Sequence, residues 1–198
     1  MHIYGRLFML RKINSILTIP IYILFAAHLI LMSGLLTGFV GFNPDFKIIS
    51  FTLAALVLVH ALFGIYFAFE RIFLKKRGQK AYPKENKIFR VQMISGIAML
   101  ILVLLHTTAY GYTNAEGIFV LRDPSVFYYI TECLLALSVC AHSAVSVPRM
   151  AITFGLIKEG KGLLKIVKVS TAVFTLVFIF AVIVFSSYYL PSILGGIL

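Results

Sequence analysis

The sequence predicts an all-α integral membrane protein with five transmembrane helices, and three observations predict it. Of 198 residues, 61% are hydrophobic and only 13% charged, and the mean hydropathy is +0.99. A water-soluble domain of this size could not carry that composition without exposing large apolar patches. Five apolar stretches, about 14–40, 49–73, 90–113, 125–148 and 169–190, each reach the roughly 20 residues that a helix needs to cross a hydrocarbon core of about 30 Å. The third observation is charge placement: every Lys and Arg except Lys47 and Arg122 lies in the N-terminus, in 71–90 or in 149–168.

Basic residues stay on the cytoplasmic side, so this alternation predicts a cytoplasmic N-terminus and an external C-terminus. The net charge of +11 is then mostly an insertion signal. Docking of an acidic partner or of anionic headgroups is the second use such loops have.

The first helix follows Arg6, Arg11 and Lys12, as a signal peptide would. Its apolar region is too long and no small-residue cleavage site closes it, so it is expected to be a retained helix. Between the second and third helices, Arg71 to Arg90 reads as a cytoplasmic loop in which Pro83 interrupts any helix. Asp123 and Pro124 read as the N-cap and first residue of the fourth helix, while Pro20 and Pro148 fall near cytoplasmic helix ends. Cys133 and Cys140, seven apart on one helix face, are packing positions without metal or redox spacing. The connections are short and no repeat or low-complexity tract interrupts them, so residues 1–198 are expected to form one bundle.

His28, His60, His106 and His142 fall one each on the first four helices; His2 is in the N-terminal tail. An ionisable residue at membrane depth marks a function by default, although a lone histidine also serves as interhelical glue. Four of them, one per helix and with few other polar side chains nearby, favour two bis-histidine haems held in the core of a bundle formed by those helices. Zinc is the rival, but it gathers four ligands around one point, and two depth layers fit that poorly.

Depth sorts the four into pairs. At 1.5 Å per residue, His106 lies about 24 Å from the cytoplasmic start of its helix and His28 about 21 Å, whereas His142 lies about 10 Å from Arg149. The expected pairs are therefore His28 with His106 in the outer half and His60 with His142 nearer the cytoplasm. Gly64, one turn after His60, would let a flat macrocycle approach the backbone, or would serve as a helix-packing glycine. Arg149, on the same face as His142, is placed either to meet haem propionates or to anchor the helix by its charge.

These residues also carry a family resemblance. Arg11-Lys12-Ile13-Asn14-Ser15-Ile16-Leu17 with Pro20 and His28-Leu29 resembles the first helix of the single-polypeptide dihaem cytochrome b subunits of succinate dehydrogenase and fumarate reductase. His60-Ala61-Leu62-Phe63-Gly64-Ile65-Tyr66 resembles the second-helix motif of that family. Gln92-Met93-Ile94-Ser95-Gly96 leading to His106 resembles its third helix, and His142 with Arg149 and Gly155-Leu156-Ile157 its fourth. The chain departs from the pattern at Asn14, Met93 and Ser146, where the family tends to have histidine, arginine and glycine.

The resemblance implies a membrane anchor carrying two haem b. It implies partnership on the cytoplasmic side with a flavoprotein holding covalent FAD and with an iron–sulfur subunit, and exchange of electrons with quinone, commonly menaquinone. The setting implied is a bacterial or archaeal cytoplasmic membrane. Within that picture Glu132, a carboxylate in the outer part of the fourth helix, is the candidate proton relay to a quinone, unless it merely faces water. Ser15, Ser95, Arg11 and Arg90, at cytoplasmic helix ends, are candidates for quinone or propionate contacts, or are helix caps. A cytochrome b anchor of another oxidoreductase, and a non-redox transport or assembly protein with proton-relaying histidines, stay open as alternatives.

Overall fold

A bilayer core offers no water to peptide groups, so each spanning stretch must bond its own backbone, as an α-helix does. The computed structural model describes residues 2–76, 83–109, 112–113, 115, 119–120, 124–157 and 161–195. Its helices are α1 (His2–Leu36), α2 (Phe46–Lys76), α3 (Pro83–Ala109), α4 (Val126–Thr153) and α5 (Lys161–Gly195). All five contain a segment long and apolar enough to cross a membrane. Between α3 and α4, β1 (Tyr112–Thr113) pairs antiparallel with β2 (Phe119–Val120), matching Tyr112 with Val120 and Thr113 with Phe119.

Several boundaries differ from the sequence expectation, each for a local reason. Most of the expected loop at Arg71–Arg90 is helical: α2 runs to Lys76 and α3 starts at Pro83. Pro83 opens a helix instead of interrupting one, because a first-turn residue has no intrahelical use for its N–H; residues 77–82 lie outside the described residues. The N-cap of α4 is Ser125, whose Oγ accepts from the Tyr128 N–H at 3.2 Å. Pro124 therefore precedes the cap, and Asp123 lies outside the described residues. The first helix ends at Leu36 because Gly38 adopts φ +78°, a left-handed conformation that stops the helix. The third helix ends at Ala109, before residue 113, because the chain turns into the β1–β2 pair. The fifth extends beyond 169–190 at both ends and contains Pro191.

Pro20 and Pro148 lie inside α1 and α4, not at their ends. Pro148 cannot supply the N–H that would bond the carbonyl of Ala144, one turn earlier. Ser170 Oγ of α5 donates to that carbonyl instead, at 2.8 Å. This is how a buried proline is tolerated in a membrane helix: a neighbouring helix satisfies the freed carbonyl.

The packing is uneven. Helix α4 carries the core, with Thr131, Leu135, Cys140, Ser143, Ala144 and Ala151 buried against α3 and α5. Several of these are small, which lets backbones approach closely where hydrophobicity gives no drive between helices in lipid. Both cysteines are free, Cys140 buried and Cys133 half-buried, at ordinary packing positions. Helix α1 packs chiefly on α2, and α4 packs on both α3 and α5, while only sparse contacts join the two groups. The outward faces carry Ile23, Ile30, Phe51, Leu104, Leu176 and Ile183, as a lipid-facing surface requires.

Candidate functional site

The four membrane-depth histidines lie across the loose seam between the α1–α2 group and the α3–α5 group. His28 of α1 faces His106 of α3 with ring centroids 6.1 Å apart. His60 of α2 faces His142 of α4 at 6.3 Å. These are the two pairs that the depth argument put together. Gly96, which touches the His142 ring, is ten residues from His106 on α3, so the two pairs stand at levels about 15 Å apart. His106 is nearer a helix end than its expected span implied, since it lies in the last turn of α3.

The separation within each pair is chemically informative. Two imidazole nitrogens on opposite sides of one metal ion, each about 2.0 Å from it and with ring centroids about 1.1 Å behind them, put the centroids roughly 6.2 Å apart, whereas a tetrahedral angle would bring them to about 5 Å. Both pairs have this spacing. Among the described residues no group of three or more His, Cys, Asp or Glu side chains gathers around one point.

Hydrogen bonds assign the tautomer of two of the rings, His142 and His106. His142 Nδ1 donates to the backbone carbonyl of Gln92 at 3.0 Å, so in the neutral ring Nε2 carries the lone pair. That Nε2 is buried and has no partner among the described residues. Ser50 Oγ stands 3.1 Å from the Phe46 carbonyl and 3.2 Å from His28 Nδ1. Its single proton serves one of these two contacts, so the tautomer of His28 is not set by this bond. His106 Nδ1 lies 2.8 Å from Glu132 Oε2 and donates to it. His60 differs, its Nδ1 being buried without a partner among the described residues. An imidazole bonded through one nitrogen with the other left as a lone pair is the usual condition of a metal-ligating histidine.

A cavity of about 260 Å³ opens beside the His60–His142 pair, room for on the order of twenty water-sized spheres and so far more than a packing void. It is lined from the α1–α2 side by Arg11, Asn14, Ser15, His60 and Gly64, and from the other by Gln92, Met93, Gly96, His142, Ser146 and Arg149. Asn14, Met93 and Ser146, the three departures from the family pattern, thus all line one space. A Cβ on Gly64 would meet no heavy atom within 4 Å, so this glycine borders open space and packs against no helix among the described residues. At Gly96 a Cβ would lie 3.3 Å from His142 Cε1 and 3.4 Å from Nδ1. The absence of a side chain there seats the ring.

Of the other expected site residues, Arg11 lies in the cavity wall, 3.9 Å from Glu70 and over the Phe67 ring. Ser15 lines the cavity, and its carbonyl accepts from Thr18 Oγ1 at 2.6 Å. Arg149 reaches the cavity and donates to Gln92 Oε1. Ser95 is buried, bonded to the Val91 carbonyl at 2.6 Å and 3.4 Å from His142 Nδ1. Arg90 is exposed and does not line the cavity. Glu132 is 1% exposed, so it does not face water.

Sequence reasoning missed Gln92 as an organiser. Its carbonyl holds His142, its Nε2 donates to Ser146 at 3.0 Å and its Oε1 accepts from Arg149. It also missed Ser50 and Glu70; a carboxylate inside the expected 49–73 span is the signal that marks Glu70. Asn14 Oδ1 is a buried acceptor without a partner among the described residues. Comparison with protein-family models, with curated proteins and with solved structures finds no match to this chain.

Proposed function

We propose that this chain is a dihaem cytochrome b that anchors a succinate:quinone oxidoreductase, a succinate dehydrogenase or fumarate reductase, in a prokaryotic cytoplasmic membrane. One observation carries the reading: two histidine pairs span the seam between helix groups at 6.1 and 6.3 Å, the spacing of two imidazoles on one metal ion. The donor set fits haem, whose iron imidazole nitrogens would hold. The cavity supplies a gap beside the second pair, the buried lone pair of His142 Nε2 supplies an unsatisfied donor, and Gly64 leaves open space beside it.

In this reading His28 with His106 would hold one haem iron and His60 with His142 the other. A haem at each level supplies one-electron redox chemistry, the link between a single-electron iron–sulfur cluster and two-electron quinone chemistry. The chain itself holds the ligand rings in orientation through Ser50, Glu132 and the Gln92 carbonyl. Arg11 and Arg149 bring positive charge to the wall of the His60–His142 cavity, where carboxylate groups of a cofactor would be received. The iron–sulfur and flavin (FAD) subunits are proposed to dock on the basic end, which the positive-inside rule puts in the cytoplasm. Quinone, menaquinone by the family resemblance, is the electron partner in the membrane.

The test is a pyridine haemochrome assay with protein quantitation on the purified chain, beside the four single His→Ala variants. Two haems b per chain are expected, with His28→Ala and His106→Ala losing the same one, and His60→Ala and His142→Ala the other. Intact, well-folded protein without haem overturns the proposal in favour of a proton-relaying or assembly role.

A further inference from the structure

The four ligand candidates differ in what stands behind them. His142 is backed by a neutral backbone carbonyl at 3.0 Å, His28 by a neutral hydroxyl at 3.2 Å, and His60 Nδ1 by no partner among the described residues. His106 alone is backed by a carboxylate, Glu132, at 2.8 Å and 1% exposed. That distance is in the range of charge-assisted hydrogen bonds, which are about twice as strong as neutral ones. Glu132 Oε1 is also buried and has no hydrogen-bond partner among the described residues, so His106 is the contact that holds this carboxyl group in place.

We infer that Glu132 is a positioning residue for His106, and that its carboxylate lowers the reduction potential at the His28–His106 level. The inference rests on the dihaem reading above. A carboxylate accepting from Nδ1–H fixes the ring plane and the tautomer and raises the electron donation of Nε2. Ferric haem b with two neutral imidazoles carries one net positive charge at its centre, and adding an electron removes it. In a low-dielectric interior a fixed negative charge behind one ligand stabilises the ferric form, with little screening from solvent. At the His60–His142 level His142 Nδ1 has a neutral carbonyl and His60 Nδ1 has no partner among the described residues, so no carboxylate backs a ligand there and the effect is confined to one site. Glu132 is ten residues from His142 on α4, about 15 Å along the helix.

The test uses the full chain as isolated with its bound haem, comparing the parent with Glu132→Gln and Glu132→Asp. Haem is counted by pyridine haemochrome, and the two midpoint potentials are read by redox titration of the α-band with low-temperature EPR of the ferric forms. In Glu132→Gln, two haems are expected, with one ferric–ferrous equilibrium shifted about tenfold toward ferrous, about 59 mV for a one-electron couple, and the other changed less than about twofold. Two haems with both potentials unmoved overturn the inference and leave the dihaem reading standing. Where Glu132→Gln loses a haem, Glu132→Asp decides: two haems with the parent potentials support a role for the charge, and the same loss overturns it in favour of packing alone. A parent chain without haem overturns both the inference and the reading beneath it.

Discussion

Ser170 on α5 supplies the hydrogen bond that Pro148 on α4 cannot make. Its hydroxyl meets the Ala144 carbonyl at 2.8 Å, at the position where the proline ring leaves the α4 ladder open. The same contact joins the two helices of the most closely packed interface in the bundle. Ser170→Ala is expected to destabilise the protein by about 1 kcal/mol, within the range measured for interhelical hydrogen bonds in membranes. In a Pro148→Ala background the restored N–H reaches Ala144 from within the helix, and the cost of Ser170→Ala should fall by at least half. A double-mutant cycle by denaturant unfolding in mild detergent reads this coupling; equal costs in the two backgrounds would show that the hydroxyl serves another purpose.

Helix α4 ends in a Schellman motif: Leu156 N–H returns to the Ala151 carbonyl at 2.9 Å, and Gly155 N–H to Ile152 at 2.9 Å. The motif requires Gly155 at φ +70°, which a Cβ opposes by about 1–2 kcal/mol. A Cβ there meets no atom within 4 Å, so Gly155→Ala measures backbone strain without steric clash. The expected loss is about 1 kcal/mol of stability and, on the proposed dihaem reading, unchanged haem content. Haem loss with unchanged stability would contradict this account.

Gln92 joins α3 to α4 by two different means, and one substitution separates them. Gln92→Leu removes the side-chain bonds to Ser146 and Arg149 but leaves the backbone carbonyl that holds His142 Nδ1. Stability should fall by about 1–2 kcal/mol, the usual cost of leaving part-buried polar partners unpaired. The His60–His142 site should keep its ligand geometry, seen as an unchanged low-spin EPR signal. A loss of that signal would mean that the amide, and not the carbonyl, positions the ring.

The spans, the four histidines and their pairing were legible because they depend on quantities that a sequence carries directly: apolar length, and depth at 1.5 Å per residue. The helix ends were less so. Pro83 signals a break or a start equally well, and which applies depends on the preceding backbone; Gly38 and Ser125 act through dihedral angles and a single hydrogen bond. The partners of the rings were illegible for a different reason. Glu132 is 26 residues from His106 and Gln92 is 50 from His142, so their meeting depends on how α3 and α4 are rotated about their own axes. Helices this apolar on every face give little periodicity from which to read rotation.

Gly96 and Gly64 border the same cavity but make opposite predictions. At Gly96 the Cβ of Gly96→Ala would lie 3.3 Å from the His142 ring, which the Gln92 carbonyl holds at 3.0 Å and which therefore cannot easily retreat. That variant should displace the ring and weaken haem retention at the His60–His142 level at least about tenfold, since a ligand held off its proper geometry loses affinity on that order. At Gly64 a Cβ meets nothing, so on the proposed dihaem reading Gly64→Ala should keep both haems and leave stability unchanged or raised by up to about 1 kcal/mol. Gly64→Leu goes further, since its side chain enters the cavity. A chain whose cavity is merely empty should accept that leucine, whereas a chain that seats a flat cofactor there should fold and lose one haem. Haem counting beside thermal unfolding of the three variants separates these outcomes. Two haems retained in both Gly96→Ala and Gly64→Leu would place the cofactor somewhere other than beside these glycines.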